Sequence, residues 1–287
     1  MKLVTYLDGS VPRVGVQLAD GVHDAGFAGD MVALIEAWEE MREQVARHST
    51  ASPVIAGAVL LAPLRPRSLR DFLSFEGHLK NAMANLGRPI APEWYETPAF
   101  YKGMPDTVIG PEEEIPWPAY TEKLDHELEL AIVIGKQGKD ITRERALEHV
   151  FGYTIWNDMS ARDVQTQELP IGMGPAKAKD WDGSNVLGPC IVTADEADVS
   201  DLRLTVRING ETWGGDTTAH MHHKVEDLIA YASLAQTLYP GEVFGSGTAT
   251  GGSGLELNRW LAPGDVIEME ADGIGILRNR VGRPGGK

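Results

Sequence analysis

The stretch KLDHELELAIVIGK, Lys123 to Lys136, decides how the chain is read. It opens with acids alternating with leucine and then runs apolar from Leu130 to Ile134. In an extended strand, side chains two residues apart share a face, so Glu127 and Glu129 stand side by side. The apolar run reads as buried. Two acids at the mouth of a buried strand have two readings. One is a half-solvated strand with a polar outer face. The other is a shared cation that offsets the repulsion between the carboxylates.

Composition narrows the setting. The 287 residues suit one large domain, or one plus a small one, and 43% apolar content is enough for a sizeable core. The net charge of −16 and pI near 4.9 argue against nucleic acid or an anionic membrane surface, both of which want a basic patch. Cys190 is the one cysteine, so no disulfide framework exists and a reducing compartment fits. It sits in the apolar run LGPCIV and is expected to pack, because a reactive thiolate needs an electropositive, accessible setting. The N-terminus lacks a basic region followed by an apolar one, and no apolar run approaches ~18 residues. The expectation is a cytoplasmic protein with no membrane or nucleic-acid partner.

Outward from the opening stretch, residues 1–24 read as two strands about the turn LDGSVPR. Ala28–His48 reads as one amphipathic helix. The proline-rich VLLAPLRPRSLRDFL marks a boundary. A small N-terminal α+β module is therefore expected at 1–64 and a larger domain at 65–287. In the larger part, Ser74–Gly87 and KVEDLIAYASLAQTL read as helices. TRERALEHVFG reads as a third, capped by Thr142 and stopped by Gly152. An NG turn joins DLRLTVRI to ETWGGDTT, and PGDVIEMEADGIGILRNRV reads as a second hairpin. The fold class expected is α+β, strand-dominated, with a twisted or β-barrel-like body. RPGGK reads as a frayed tail.

Several groupings bear on chemistry. Asp158, in WNDMSARD, ends a strand and could join Glu127 and Glu129 in an all-oxygen site. Hard cations choose such ligands, whereas zinc would want His or Cys at ligand spacing. His78, in DFLSFEGHLKN, has Ser74 and Asn81 one helical turn away on either side. The glycine-rich GSGTATGGSGLELNRW lacks the lysine of a phosphate loop and reads as a close backbone approach to a ligand. His220, His222 and His223 precede a helix with no further ligand nearby and read as a solvated helix start. No GxSxG elbow supports a serine hydrolase.

Taken together, DHELELAIVIGK, HVFGYTIWNDMSARDVQ, AKDWDGSNVLGP, GTATG and PGDVIEMEADGIGILRNRV resemble the fumarylacetoacetate hydrolase family, in the family's order, from about residue 60 onward. The resemblance implies a mixed β-roll, a homodimer, and a divalent cation held by Asp71, Glu127, Glu129 and Asp158, with Mg²⁺ expected ahead of Mn²⁺ or Ca²⁺. Asp71, His78 and Asn81 match fumarylacetoacetase in spacing, and Glu256 matches its distant glutamate, which orients the histidine. Acylpyruvase-like members instead carry a Glu three residues after the His, where this chain has Asn81. The resemblance also implies catalytic roles for Lys179 and Gln165, and substrate contacts for Arg162, Tyr101 and Thr248. Leu73 and Leu169 depart from it, standing where fumarylacetoacetase has tyrosines, and Gly183 replaces a threonine. The activity implied is hydrolysis of a C–C bond in a 1,3-diketo acid, acylpyruvate or fumarylacetoacetate-like. His78 would activate water and the leaving carbanion would persist as a metal-stabilised enolate. The alternative on the same site is an oxaloacetate-type decarboxylase or a ketodienoate isomerase or hydratase.

Overall fold

The opening stretch forms the strand Leu128–Ile134, buried along its whole length. A strand covered on both faces needs apolar residues at successive positions rather than alternate ones. Leu130, Ile132 and Ile134 enter one core, while Ala131 and Val133 enter a second. A computed structural model describes residues 1–85, 87–172 and 174–285.

This strand lies inside an eleven-stranded mixed sheet. Val150–Asp158 and Val243–Gly245 flank it, both antiparallel. Beyond Val150–Asp158 come Asn185–Thr193, Lys2–Asp8, Val11–Leu18 and Gly21–Asp24. On the other side, Val243–Gly245 pairs in parallel with Leu69–Phe72, which pairs with Phe100–Gly103. The N-terminal strand thus joins the main sheet, with Lys2 opposite Val192 and Leu3 opposite Ile191.

A second sheet runs Glu211–Thr217, Arg203–Ile208, Val266–Ala271, Gly275–Pro284 and Glu114–Trp117. Its Leu204, Val206, Ile267 and Met269 share a core with Leu130 and Ile132. The architecture is α+β. The expected barrel-like closure is absent among the described residues. The large sheet ends at Gly21–Asp24 and Phe100–Gly103, which do not pair with each other. The NG hairpin forms as expected, with Asn209 at φ 52° and Gly210 at φ 80°, the pair of positive values this tight turn requires.

Six α-helices occur among the described residues: α1 (Met31–Glu36), α2 (Trp38–Ala51), α3 (Glu76–Asn85), α4 (Arg162–Glu168), α5 (Val225–Ala232) and α6 (Gly254–Leu257). The single helix expected at Ala28–His48 is therefore two. Asp30 caps α1 by accepting the Ala33 N–H at 2.8 Å. The helix breaks at Ala37, and Trp38 then meets Phe151 of the sheet edge-on at 5.2 Å between ring centroids. Docking on the sheet overrides a continuous helical pattern.

The helix expected from Thr142 to Gly152 is also corrected. Arg143–His149 forms a 3₁₀ helix, and the Thr142 side chain makes no cap bond. Gly152 lies inside the strand Val150–Asp158, where a Cβ would strike the Val192 carbonyl oxygen. Close strand approach, not helix termination, requires that glycine. Of the RPGGK tail, Arg283 and Pro284 belong to a strand, and Gly286 and Lys287 lie outside the described residues.

Cys190 packs as expected. Its thiol donates to the Ile274 carbonyl at 3.4 Å, and burial pushes its pKa up to about 11. Among the described residues, no helix is long and apolar enough to cross a membrane.

Arg70 precedes Asp71 and forms a buried ion pair with Glu242, its guanidinium 5.2 Å from the Phe244 ring centroid. Removing one partner strands the other charge in the core. Arg70→Ala should cost about 3–5 kcal/mol of stability in urea unfolding. Adding Glu242→Ala should recover part of that loss.

Candidate active site

Sheet register assembles the carboxylates. Glu129 pairs with Trp156, Ala131 with Gly245, and Gly245 with Asp71. Because side chains alternate, Asp71, Glu127, Glu129 and Asp158 collect at one end of the same sheet face. All four are buried, and one oxygen of each lies within 4.8 Å of the others. The half-solvated reading of Glu127 and Glu129 is thereby replaced, since both are inside the protein.

Three oxygens of the cluster, Asp71 Oδ1, Glu129 Oε1 and Asp158 Oδ1, have no hydrogen-bond partner among the described residues. Burial, reinforced by the neighbouring carboxylates, holds Asp71 and Glu129 well above the usual carboxylate range. Burial also raises Asp158 to about 6 despite the ammonium of Lys179 beside it. Converging, under-bonded, all-oxygen ligands fit a hard divalent cation. Gly245 leaves room for them. A Cβ there would press on Glu129 and lie 2.7 Å from Asp71 Oδ1 and 2.8 Å from Trp156 Cε3.

Two cations offset part of the negative charge. Lys179 Nζ donates to Glu127 Oε2 at 2.5 Å and to Asp158 Oδ2. Arg162 meets Glu127 Oε1 at 2.6 Å through Nη2 and Asp125 Oδ2 at 2.8 Å through Nε. Its Nη1 donates to Gln165 Oε1 at 2.9 Å. Burial works against the charge on Glu127, but Lys179 and Arg162 outweigh it and hold that carboxyl far below the usual range. Tyr101 donates its hydroxyl to Asp158 Oδ2 at 2.7 Å. Burial first, and the Asp158 charge second, push its phenol well above the ordinary value.

The second half of the site is the pair His78 and Glu256. His78, on α3, places Nδ1 2.9 Å from Glu256 Oε2. Glu256, on α6, is held by three donors: Gly251 N–H at 2.9 Å, Asn81 Nδ2 at 2.9 Å and Ser253 Oγ at 3.0 Å. The two halves are tied by Asp125. Besides Arg162, it accepts the N–H groups of Gly254 at 2.8 Å and Leu255 at 3.0 Å, which open α6.

A cavity of about 460 Å³ joins these groups. Asp71, His78, Tyr101, Glu127, Arg162, Gln165, Lys179 and Thr248 line it. Glu129 and Asp158 stand in the cluster behind, and Glu256 stands behind His78. A larger hollow of about 970 Å³ over the second sheet contains none of these residues. The smaller cavity is the site because the chemistry converges there.

Sequence reasoning missed Asp125 and Gly245. Asp125 continues the two-residue alternation of Glu127 and Glu129, which was an available signal. Gly245 opens the glycine-rich stretch read as a close backbone approach to a ligand, but that reading did not single it out, because its role depends on a neighbouring strand. Of the histidines expected at a solvated helix start, His223 is buried instead. His222 and His223 each place Nε2 on a backbone carbonyl, of Tyr95 at 2.9 Å and of Trp94 at 2.7 Å respectively.

Comparison with known proteins gives the family of the chain. Residues 68–282 match the fumarylacetoacetate (FAA) hydrolase C-terminal family, and the chain belongs to that family. A mitochondrial oxaloacetate tautomerase of Xenopus laevis is 32% identical over 297 residues, covering 98% of this chain and 90% of that protein. A human mitochondrial oxaloacetate tautomerase is 37% identical over 186 residues, 64% of this chain and 59% of the human protein. The solved fumarylacetoacetate hydrolase of Exiguobacterium antarcticum superposes with a TM-score of 0.83 at 31% identity, over 98% of this chain and 99% of that one. Maleylpyruvate hydrolase of Sphingobium sp. SYK-6, solved with manganese(II) and pyruvate, gives 0.79 at 25% identity over 98% and 99%. These four are named as hydrolases and tautomerases.

Gly245→Ala should weaken Mn²⁺ or Mg²⁺ binding by about 10–100-fold in calorimetric titration, the usual cost of disturbing what supports a metal ligand. A second expectation concerns pH. Burial opposes the charge on Glu256, but His78, Gly251 and Asn81 hold the carboxyl below its ordinary range. A carboxyl lowered in the folded state adds stability above its unfolded pKa and loses it as pH falls through the folded value. The stability gap between wild type and Glu256→Gln should be widest near neutrality and close below about pH 4, as read from urea midpoints.

Proposed function

We propose that the protein hydrolyses a C–C bond in a 1,3-diketo acid, of the acylpyruvate or fumarylacetoacetate-like class. The observation that carries this reading is the buried His78–Glu256 contact at the wall of the cavity that the carboxylates share. A histidine oriented through one ring nitrogen by a carboxylate is suited to take a proton at the other.

Asp71, Glu127, Glu129 and Asp158 would hold a divalent cation, and a bound cation would supply Lewis-acid polarisation to the oxygens of a keto acid. The chain's own residues do the rest. Glu256 fixes the His78 ring through Nδ1, leaving Nε2 to accept a proton from water. The resulting hydroxide adds to the carbonyl next to the scissile bond. Gln165 has its amide oxygen engaged by Arg162 Nη1, which leaves its Nε2 donors for the oxyanion, together with Lys179 Nζ. One such donor is typically worth about 10²–10³ in rate. When the adduct collapses, the C–C bond breaks and its electrons pass to the leaving carbon. His78 Nε2 returns the proton there, giving a keto acid and a carboxylic acid. Arg162 has its donors committed to Asp125, Glu127 and Gln165, so its work is to position Glu127. Tyr101 does the same for Asp158. A keto-acid substrate and a homodimeric assembly belong to this proposal.

The oxaloacetate tautomerases among the relatives favour a second reading, keto–enol exchange without bond cleavage. There His78 would carry a proton between C3 and the enol oxygen, and no water would attack.

Turnover of an acylpyruvate in H₂¹⁸O separates the two. Hydrolysis places ¹⁸O in the released carboxylate, and tautomerisation places none. Under the hydrolytic reading, His78→Ala lowers kcat by about 10²–10⁴-fold with cation affinity retained, and Glu256→Gln acts in the same direction. Undiminished cleavage in His78→Ala would remove the proposed base.

A further inference from the structure

The cavity has two chemically different walls. One carries the carboxylates with Lys179, Gln165 and Thr248. The other is apolar, built from Leu73, Leu79, Met83, Phe100, Leu169 and Leu255. Part of it belongs to α3, where Leu79 and Met83, one turn apart, line the cavity beside His78 and Ala82, also one turn apart. With a rise of 1.5 Å per residue, Met83 lies about 7.5 Å beyond His78 along the axis. An apolar stripe therefore leads outward from the base.

The cationic groups of the cavity both sit on the carboxylate wall. Arg162 holds Asp125, Glu127 and Gln165, and Lys179 holds Glu127 and Asp158. Among the described residues, no other lysine or arginine lines the cavity. Asn85, at its edge, donates one amide N–H to the Leu255 carbonyl at 3.0 Å and carries no charge. A second carboxylate at the far end of a substrate would lie against hydrocarbon without a partner, which is costly.

We infer that the site takes 2-keto acids whose far end is apolar, a short alkyl chain or an aromatic ring, and selects against those carrying a second carboxylate there. The inference rests on the keto-acid reading of the site and deepens it.

The test is calorimetric binding to the Mn²⁺-loaded protein of 2-oxohexanoate and 2-oxoadipate, which have the same chain length and differ only at the far end. 2-Oxohexanoate should bind at least about tenfold more tightly. Across 2-oxobutanoate, 2-oxopentanoate and 2-oxohexanoate, affinity should rise about fourfold per methylene. Leu169→Arg and Met83→Arg place a cation on the apolar wall at positions that are not buried, and each should shift preference toward 2-oxoadipate. Equal or tighter binding of 2-oxoadipate by wild type, a flat length series, or an unchanged preference in both folded variants would overturn the inference. Cleavage of butanoylpyruvate and succinylpyruvate is assayed alongside. An apolar binding preference with neither compound cleaved leaves this inference standing and removes the hydrolase reading. Cleavage that favours succinylpyruvate overturns the inference and keeps the hydrolase.

Discussion

Four buried carboxylates repel one another, and the rest of the molecule is arranged around that repulsion. Asp71, Glu129 and Asp158 come from three separate strands, Glu127 immediately precedes one of them, and all four meet inside the protein. Removing several charges from water in one place is unfavourable unless opposite charge is supplied. Lys179 and Arg162 supply some of it, concentrated on Glu127, which is why Glu127 is held far down while Asp71 and Glu129 are driven up. The uneven distribution leaves Asp71 and Glu129 with the greatest unmet demand for positive charge. A divalent ion would meet it. The sheet tolerates the cluster because Gly245 sits among the acids with no side chain of its own.

The same polar network links the acids to His78. Asp125 binds Arg162 with one oxygen and the start of α6 with both. α6 carries Glu256, and Glu256 holds His78. A path of direct contacts therefore runs from Glu127 through Arg162, Asp125 and α6 to the imidazole. The proposed mechanism requires such a fixed span, since an error of about 1 Å in placement costs much of the rate. Glu256 is itself held by three donors, so the imidazole is oriented from behind rather than by the substrate.

How much of this was legible beforehand depended on whether a signal was local. The acids at 127 and 129 and the apolar run after them announced a strand entering a core, and the NG turn announced its hairpin. The burial of the two acids was not legible, because their neighbours Asp71, Trp156 and Gly245 stand on adjacent strands from distant parts of the chain. The Ala28–His48 pattern misled for the same reason. Its periodicity is helical throughout, yet Trp38 gains more by turning onto Phe151 than by extending α1. Around Gly152 the glycine looked like a helix stop, whereas the neighbouring strand's Val192 demands it. His78 and Glu256 are far apart in the chain, and only the family resemblance joined them. No spacing rule could have done so.

What the fold leaves open is the reaction, and the reason is chemical. Hydrolysis and tautomerisation of a dicarbonyl acid use the same equipment: an anchored pair of oxygens, a base near C3 and a donor for the developing oxyanion. They part only at the step after proton transfer. If a water lies between His78 and the carbonyl carbon, the proton leaves water and a bond is broken. If substrate fills that space, the proton leaves C3 and an enol forms. The choice therefore rests on how much of the cavity the substrate's far end occupies, and on whether the apolar wall of Leu73, Met83 and Leu169 draws that end away from His78. A chain drawn onto that wall leaves room for water beside the imidazole. A short, doubly charged acid gains nothing from the wall and stays over the cation site. If the proposed keto-acid chemistry holds, the distal wall sets not only which acid is bound but which bond changes.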